Sequence, residues 1–390
     1  MTNNNDKKVL NVPPLRFPEF TEEWGKCKVS DLLDIYSTNS LSWEQLEYDT
    51  NTIMNLHYGL IHVGLPTMVN LTKDKLPNIK EGNMPKNFEL CKEGDVAFAD
   101  ASEDTNEVAK TVEFFNLAGK DIVCGLHTIH GRDNKNRTVI GYKGYAFSST
   151  AFHNQIRRIA QGTKIYSISS KNFSECYIGL PSKPEQTKIA TLLRLIDERI
   201  VTQNKIIEKL ETLIKGIIET VISAHKPNTL IRNCLECNSS TLQESQVAET
   251  GTFPVYGATG ISGYTETTDM NGESILIIKD GSGVGTVKFV TGEYSYIGTL
   301  NSLTVKDGYC LKYIYFALQR FSFEPYKTGM AIPHIYFKDY GKAKIFCPTI
   351  EKQSAIAQKL SSIEDKVSVE KQILFYYQAQ KSYLLSQMLI

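Results

Sequence analysis

An α+β chain built from two globules and two long helices is the fold class that three features of the sequence predict. Residues 182–200, SKPEQTKIATLLRLIDERI, are echoed at 349–367 by TIEKQSAIAQKLSSIEDKV. Both blocks carry an apolar stripe at coiled-coil spacing. Ahead of each block, short apolar segments alternate with Gly, Asn and Asp turns, the pattern of strands and short helices. The repeating unit is thus the closing strands of a globule followed by a long helix, used twice, which predicts a pseudo-twofold internal repeat.

In chain order, residues 1–20 form an N-terminal arm without the apolar core of a secretion signal, and no run of about 18 apolar residues is present for a membrane span. A cytoplasmic location is expected. Residues 21–180 make the first globule, with Asp95-Val-Ala-Phe-Ala99 and Thr138-Val-Ile-Gly-Tyr142 as strand-like segments and Ser149 to Gln161 as a helix. The whole chain balances 43 basic against 43 acidic residues, yet Lys120 to Lys171 holds nine Lys or Arg against Asp121 and Asp133 alone. A second basic stretch, Lys312 to Lys344, holds six against Glu324 and Asp339. Basic residues interleaved with Tyr, Asn, Ser and Gln suit a surface that neutralises phosphates and reads base edges. A solvated face balanced by the acidic run Glu89 to Glu113 accounts for the first stretch equally well.

Residues 181–225 form the first long helix, opened by a capping box at Ser182-Lys-Pro-Glu185. Alternating steps of four and three give the seam Ile189, Leu193, Ile196, Ile200, Gln203, Ile207, Leu210, with Ile214, Ile217 and Val221 beyond. Residues 226–347 are the second globule, richer in strand, with Ser274 to Lys279 and Thr286 to Val290 joined through Asp280-Gly-Ser-Gly-Val-Gly285, and a helix from Leu311 to Phe321. That glycine-rich turn is followed by a strand, where a nucleotide-binding loop needs a helix N-terminus, so it reads as a hairpin. Residues 348–390 form the second long helix, whose seam is Ile356, Leu360, Ile363, Val367, Glu370, Leu374. Gln203 and Glu370 interrupt both stripes at the same layer, as register-fixing polar residues do. Each helix, at 1.5 Å per residue over about 38 residues, is a rod of roughly 55 to 60 Å. Upstream, Gly162-Thr-Lys-Ile165 and Gly329-Met-Ala-Ile332 extend the echo at the same offset.

Reactive constellations are missing from the sequence. There is no GxxxxGK[ST], and the only double proline, Val12-Pro-Pro-Leu15, lacks the polar and aromatic flanks of an adenine methyltransferase. Cys234-Leu-Glu-Cys237 has no second pair at zinc-finger spacing. His127 and His130 have no Cys or carboxylate at metal spacing, so they are expected to meet solvent or nucleic acid. The eight cysteines are expected to be reduced thiols, and no metal or catalytic residue is assigned.

Leu15-Arg-Phe-Pro-Glu-Phe20 with Trp24 is one signature. The two blocks Gln186, Ile189-Ala190, Leu193, Ile196-Asp197 and Gln353, Ile356-Ala357, Leu360, Ile363-Glu364 are another, and Phe253-Pro-Val-Tyr-Gly-Ala-Thr-Gly260 leading to Ile278-Lys-Asp-Gly-Ser is a third. Together they resemble the specificity subunit of a type I restriction–modification system over essentially the whole chain. The second globule opens without a counterpart to Trp24, and Lys352 stands where the first block has Glu185. The resemblance implies two target recognition domains separated by a long antiparallel coiled coil of two conserved helices, each domain reading one half of a split double-stranded DNA target. It implies two modification subunits and two restriction subunits as partners. S-adenosylmethionine, ATP and Mg belong to those partners, with none bound directly here.

Polarity and turn position then nominate the DNA contacts. In the first globule these are Ser102, Asn106, His127, Arg132, Lys135, Arg137, Arg157, Arg158 and Lys164. In the second they are Tyr256, Thr259, Lys279, Ser282, Lys288, Asn301, Arg320, Lys327 and His334. Arg and Asn are the base readers by geometry, whereas Lys positions the phosphate backbone.

Overall fold

Asp95-Val-Ala-Phe-Ala99 is apolar because it is covered on both faces: Val96–Ala99 is wholly buried and lies at the centre of a five-stranded sheet. Its neighbours are Thr128–Arg132 and Thr111–Asn116, both antiparallel, with Asp34–Tyr36 and Met68–Asn70 at the edges. The computed structural model describes residues 11–268 and 270–390. The arm at residues 1–10 lies outside them. A second sheet of the same unit orders Ile122–Cys124, Met54–Leu56, Asn78–Ile79 and Leu46–Glu47. Thr150–Ile159 is the expected helix, capped by the Ser149 hydroxyl, which accepts from the Phe152 N–H at 3.2 Å.

Thr138 to Tyr142 departs from its strand reading. Gly141 sits at φ 93°, donates to Glu113 Oε1 at 2.9 Å, and starts the helix Tyr142–Phe147. The left-handed turn that only glycine makes cheaply is what diverts the apolar run.

The second unit repeats the plan with Ser274–Ile278 as the buried strand, flanked by Leu300–Val305 and Val287–Val290, with Leu235–Ser239 at the edge. Ser274–Ile278 and Val287–Val290 pair antiparallel, so the glycine-rich segment between them is a hairpin. Phe253–Gly257, Gly260–Thr265, Glu293–Tyr296 and Met270–Asn271 form its other sheet.

The central helix spans Lys183–Ile218 and the C-terminal helix Ile350–Gln387. The chain divides into two compact units inside both helices, one running to Thr202 and taking Ile373–Ile390, the other Gln203–Gln372. In the first unit, the start of the central helix meets the end of the C-terminal helix. Ile189, Leu193 and Ile196 share one core with Leu384 and Met388, and Lys381 pairs with Asp197 at 2.6 Å. The two helices are therefore antiparallel. That core also contains Trp24, Tyr142, Tyr145 and Phe147, so the early seam positions serve the globule as well as the partner helix. In the second unit Gln203 Nε2 donates to the Glu370 backbone oxygen at 3.0 Å and to its carboxylate, while Lys371 pairs with Glu211 at 2.7 Å. Ile189, Leu193, Ile196, Gln203, Ile207, Leu360 and Val367 are buried, whereas Ile200, Leu210, Ile356, Ile363, Glu370 and Leu374 are half-buried.

The expected capping box does not form as read. Glu185 is buried and both its oxygens take a fork from Arg16, at 2.7 and 2.8 Å. A bidentate guanidinium satisfies that carboxylate better than a lone backbone N–H, which makes the Leu15-Arg-Phe segment a strap over the helix start. Gln186 and Gln353 instead do equivalent work. Gln186 Nε2 donates to Pro181 O at 2.9 Å and Gln353 Nε2 to Pro348 O at 2.8 Å. Their Oε1 atoms accept from the Val139 and Cys310 N–H groups at 2.9 and 3.0 Å, tying each long helix to its globule.

Candidate nucleic-acid interface

Gly162-Thr-Lys-Ile165 and Gly329-Met-Ala-Ile332 both fold back as tight hairpins. Gly162 and Gly329 lie at φ 147° and 88°, and a Cβ on either would strike the carbonyl oxygen of Ile165 or Ile332. Glycine is the residue these turns admit. Gln161 pairs with Ser167 in the first hairpin and Thr328 with His334 in the second. Each is pinned to the segment that leaves the buried central strand. Ile168 N donates to Asp100 O at 3.1 Å, and Ile335 N to Lys279 O at 2.9 Å. Tyr166–Ser167 pairs with Ala101–Ser102, and His334 bridges Asp280. One scaffold thus occurs in both units, and Ile165, Met330 and Ile332 are exposed upon it.

In the first unit this scaffold gathers Ser102, Asn106, His127, Arg157 and Lys164. Asn106 Oδ1 accepts from Arg157 Nη1 at 2.7 Å, and Arg157 also donates to Asn154. Asp104 N donates to Ser102 Oγ at 3.1 Å, and its carboxylate receives the Asn106 N–H at 2.9 Å, so the loop is internally braced. His127, at φ 53°, sets Nδ1 3.1 Å from Asp100 Oδ1. Lys164 is exposed on the hairpin, and Arg158 is exposed beside Arg157. Lys135 and Arg137 are exposed but anchored elsewhere: Lys135 Nζ donates to Asp31 O at 2.8 Å, and Gln186 Nε2 donates to Arg137 O at 3.2 Å.

In the second unit Lys279, Ser282, Lys327 and His334 surround the equivalent hairpin; Lys327 pairs with Glu324. Lys288 Nζ stands 4.7 Å over the Tyr256 ring, and Thr259 is exposed on the turn between two strands. Arg320 is exposed and pairs with Glu219 at 3.1 Å.

Three expectations are corrected. Arg132 is buried, not a surface reader: its guanidinium meets Asp95 at 2.8 Å, Glu89 at 2.5 Å and Leu90 O at 2.7 Å. Burial works against its charge, but those carboxylates outweigh it and hold the guanidinium above its already high range. Asn301 is buried in its strand and accepts from Ser239 Oγ at 3.0 Å. His130 is buried, with Nε2 2.8 Å from Asp95 Oδ2, so it meets neither solvent nor nucleic acid. Lys143 is likewise neutralised in the interior by Glu113 at 3.3 Å. Part of the first basic stretch is therefore balanced by the acidic run Glu89 to Glu113.

The lack of cysteine around His130 is also corrected. Cys91 and Cys124 lie in neighbouring backbone segments, their sulfurs 3.6 Å apart, and together with His130 they form a buried set able to hold a metal ion. Their sequence separation hid the grouping. Cys237 does not join Cys234 in a comparable set among the described residues; Cys234 Sγ faces Cys347 Sγ at 3.9 Å.

An aromatic row beside His127 was not foreseen. Trp43 and His57 rings are 4.5 Å apart, His57 and Tyr58 4.8 Å, and Tyr58 and His127 5.2 Å. Its members come from three separate chain segments, and only the His57-Tyr58 pair was there to mark it.

A family model described as the type I restriction modification DNA specificity domain matches residues 74–212 and again 235–375. The specificity subunit of the type I restriction enzyme EcoprrI from Escherichia coli is 26% identical over 112 residues, which is 29% of this chain and 28% of that relative. A crystal structure of a type I restriction–modification S subunit from M. genitalium superposes with a TM-score of 0.64 at 16% identity, covering 97% of this chain and 99% of that one. A structure from work on complex assembly and conformational transition of the type I R-M system gives 0.54 at 15% identity, covering 93% and 96%. The structural likenesses are likenesses of fold.

Proposed function

The chain belongs to the type I restriction modification DNA specificity family, and from that membership we propose that each of its two units reads one half of an asymmetric, split double-stranded DNA target. The observation that carries this reading is the repeated hairpin scaffold. It presents Asp100, Ser102, Asn106, His127, Arg157 and Lys164 in one unit, and Lys279, Ser282, Lys327 and His334 in the other. A common frame with unlike side chains suits two unlike half-sites. Arg157, held by Asn106 and Asn154, is the best-placed base reader of the first unit, since a guanidinium matches the paired acceptors of guanine. Lys164, Lys279 and Lys288 neutralise phosphates.

In this reading the two paired helices set the number of unread bases between the half-sites. The duplicated plan offers equivalent docking surfaces to two modification subunits, which methylate adenine N6 with S-adenosylmethionine, and to two restriction subunits that use ATP and Mg. The chain itself supplies the address and no chemistry. Purified alone it should bind no S-adenosylmethionine and methylate nothing, and co-expression with its modification subunit should restore methylation at one bipartite sequence. Methyl transfer by the isolated chain contradicts the reading. Affinity for duplex DNA should fall steeply with salt, as counterion release requires; a flat dependence favours a protein-binding scaffold instead.

A further inference from the structure

We propose that Cys91, Cys124 and His130 form a structural zinc site inside the first unit. Three observations carry it. The first is geometric: the two sulfurs are 3.6 Å apart, and the sulfurs and a His130 ring nitrogen all lie within 4.8 Å of one another. Two thiolates on one tetrahedral zinc at about 2.3 Å stand roughly 3.8 Å from each other, so the pair is already at ligand separation. A disulfide would require the sulfurs to close to about 2.05 Å.

The second observation is an orphaned donor. His130 is fully buried; Nε2 is engaged by Asp95 Oδ2 at 2.8 Å, while Nδ1 has no hydrogen-bond partner. An unsatisfied polar atom at such depth is costly unless something occupies it. A carboxylate on one ring nitrogen and a metal on the other is how protein histidines are commonly oriented towards zinc. Asp95 is itself fixed by Arg132 Nε at 2.9 Å and by donating Lys92 N at 2.8 Å.

The third is electrostatic. All three residues are buried, where a net charge is expensive. Zinc with two thiolates and one neutral imidazole carries no net charge, so the ion satisfies the donors without charging the interior. Thiolate and imidazole together select zinc over magnesium or calcium. The fourth tetrahedral position is left to a water, which keeps the site neutral.

The site has a consequence for the reading surface. Cys124 and His130 bracket Gly125–Ile129, the segment that carries His127 in its left-handed conformation against Asp100. Cys91 N donates to Ile122 O at 2.8 Å, which ties the third ligand to the strand that enters this segment. Zinc would hold both ends of the loop and so fix the position of His127.

The test uses the full-length chain purified under reducing conditions without chelator. Metal analysis should return stoichiometric zinc, and replacement by cobalt(II) should produce the visible d–d bands and near-ultraviolet thiolate charge-transfer band of a tetrahedral site. Cys124→Ser should abolish both bands, and Cys234→Ser should leave both intact. Zinc removal should lower the melting temperature and speed amide exchange at 125–129. Two results overturn the proposal without any variant: wild-type protein with both thiols titratable but without zinc or cobalt bands, and recovery of a Cys91–Cys124 disulfide from reduced cells. DNA binding is not the readout, so failure here leaves the half-site reading untouched.

Discussion

Gln186 and Gln353 sit at equivalent places in the repeat and make equivalent bonds, each fastening a long helix to the proline before it and to a backbone N–H of its own globule. Both are buried, so Gln186→Ala would leave the Val139 N–H without its acceptor, at a cost of about 1–3 kcal/mol. Hydrogen exchange should show that amide losing protection while the second unit is unaffected. Arg132 and Arg157 separate stability from reading. Arg132→Ala removes the guanidinium from the buried Asp95, which keeps only His130 and the Lys92 N–H, and should destabilise the first unit by about 3 kcal/mol. Arg157→Ala should leave the unfolding transition in place and relax specificity in one half-site, by about 1–3 kcal/mol in binding competition. Acidity gives another check. Burial, with His127 nearby, lowers the His57 pKa, and burial, with Arg157 nearby, lowers that of His153. The folded unit keeps both neutral, so their stabilisation is complete above about pH 6.5 and is lost as the pH falls through that value towards the lower folded pKa. His130, whose pKa burial lowers but the Asp95 hydrogen bond raises on balance, works in the opposite direction, so the check is a comparison: between pH 7 and pH 5.5 the urea midpoint of His153→Gln should fall less than that of the parent chain. At this scale the sequence revealed residue type but not depth. Arg132 has the chemistry of a reader, yet Thr128–Arg132 is buried along its whole length, and no alternation marked the inward face.

The long helices were the most legible elements, because a seam repeated over many turns is a strong signal. All the named seam positions lie at buried or half-buried sites. The sharing of Ile189, Leu193 and Ile196 between partner helix and globule was not legible, since an apolar stripe does not say what covers it. Gln203 and Glu370, matched in the repeat, bond to each other across the antiparallel pair. Gln203→Leu should leave Glu370 half-buried without its amide partner and loosen register, seen as faster exchange in both helices. Inserting two helical turns after Ile200, with a matching insertion in the C-terminal helix, should lengthen the gap between half-sites while leaving both half-sites unchanged. Methylation mapping reads this directly; altered half-sites would make the helices part of the reading surface. The hairpins were half legible. Their echo was visible as Gly-x-x-Ile at a fixed offset, but the antiparallel fold and the docking onto Asp100 and Lys279 depend on long-range backbone bonds that local spelling does not record.

For the whole molecule, duplication is the organising fact. The family match falls twice on the chain, and each unit combines its own globule with parts of both long helices. The two units share a frame and differ in the side chains set upon it, which is the division of labour an asymmetric split target requires. The measurement that tests this most directly is N6-methyladenine mapping in cells that carry the chain with its modification subunit. It should be run beside a chain whose residues 21–180 are exchanged for the corresponding segment of a relative. The account predicts a bipartite, asymmetric motif for the parent, and a motif in the exchanged chain that differs in one half alone at the same spacing. A change in both halves, or in neither, would contradict it.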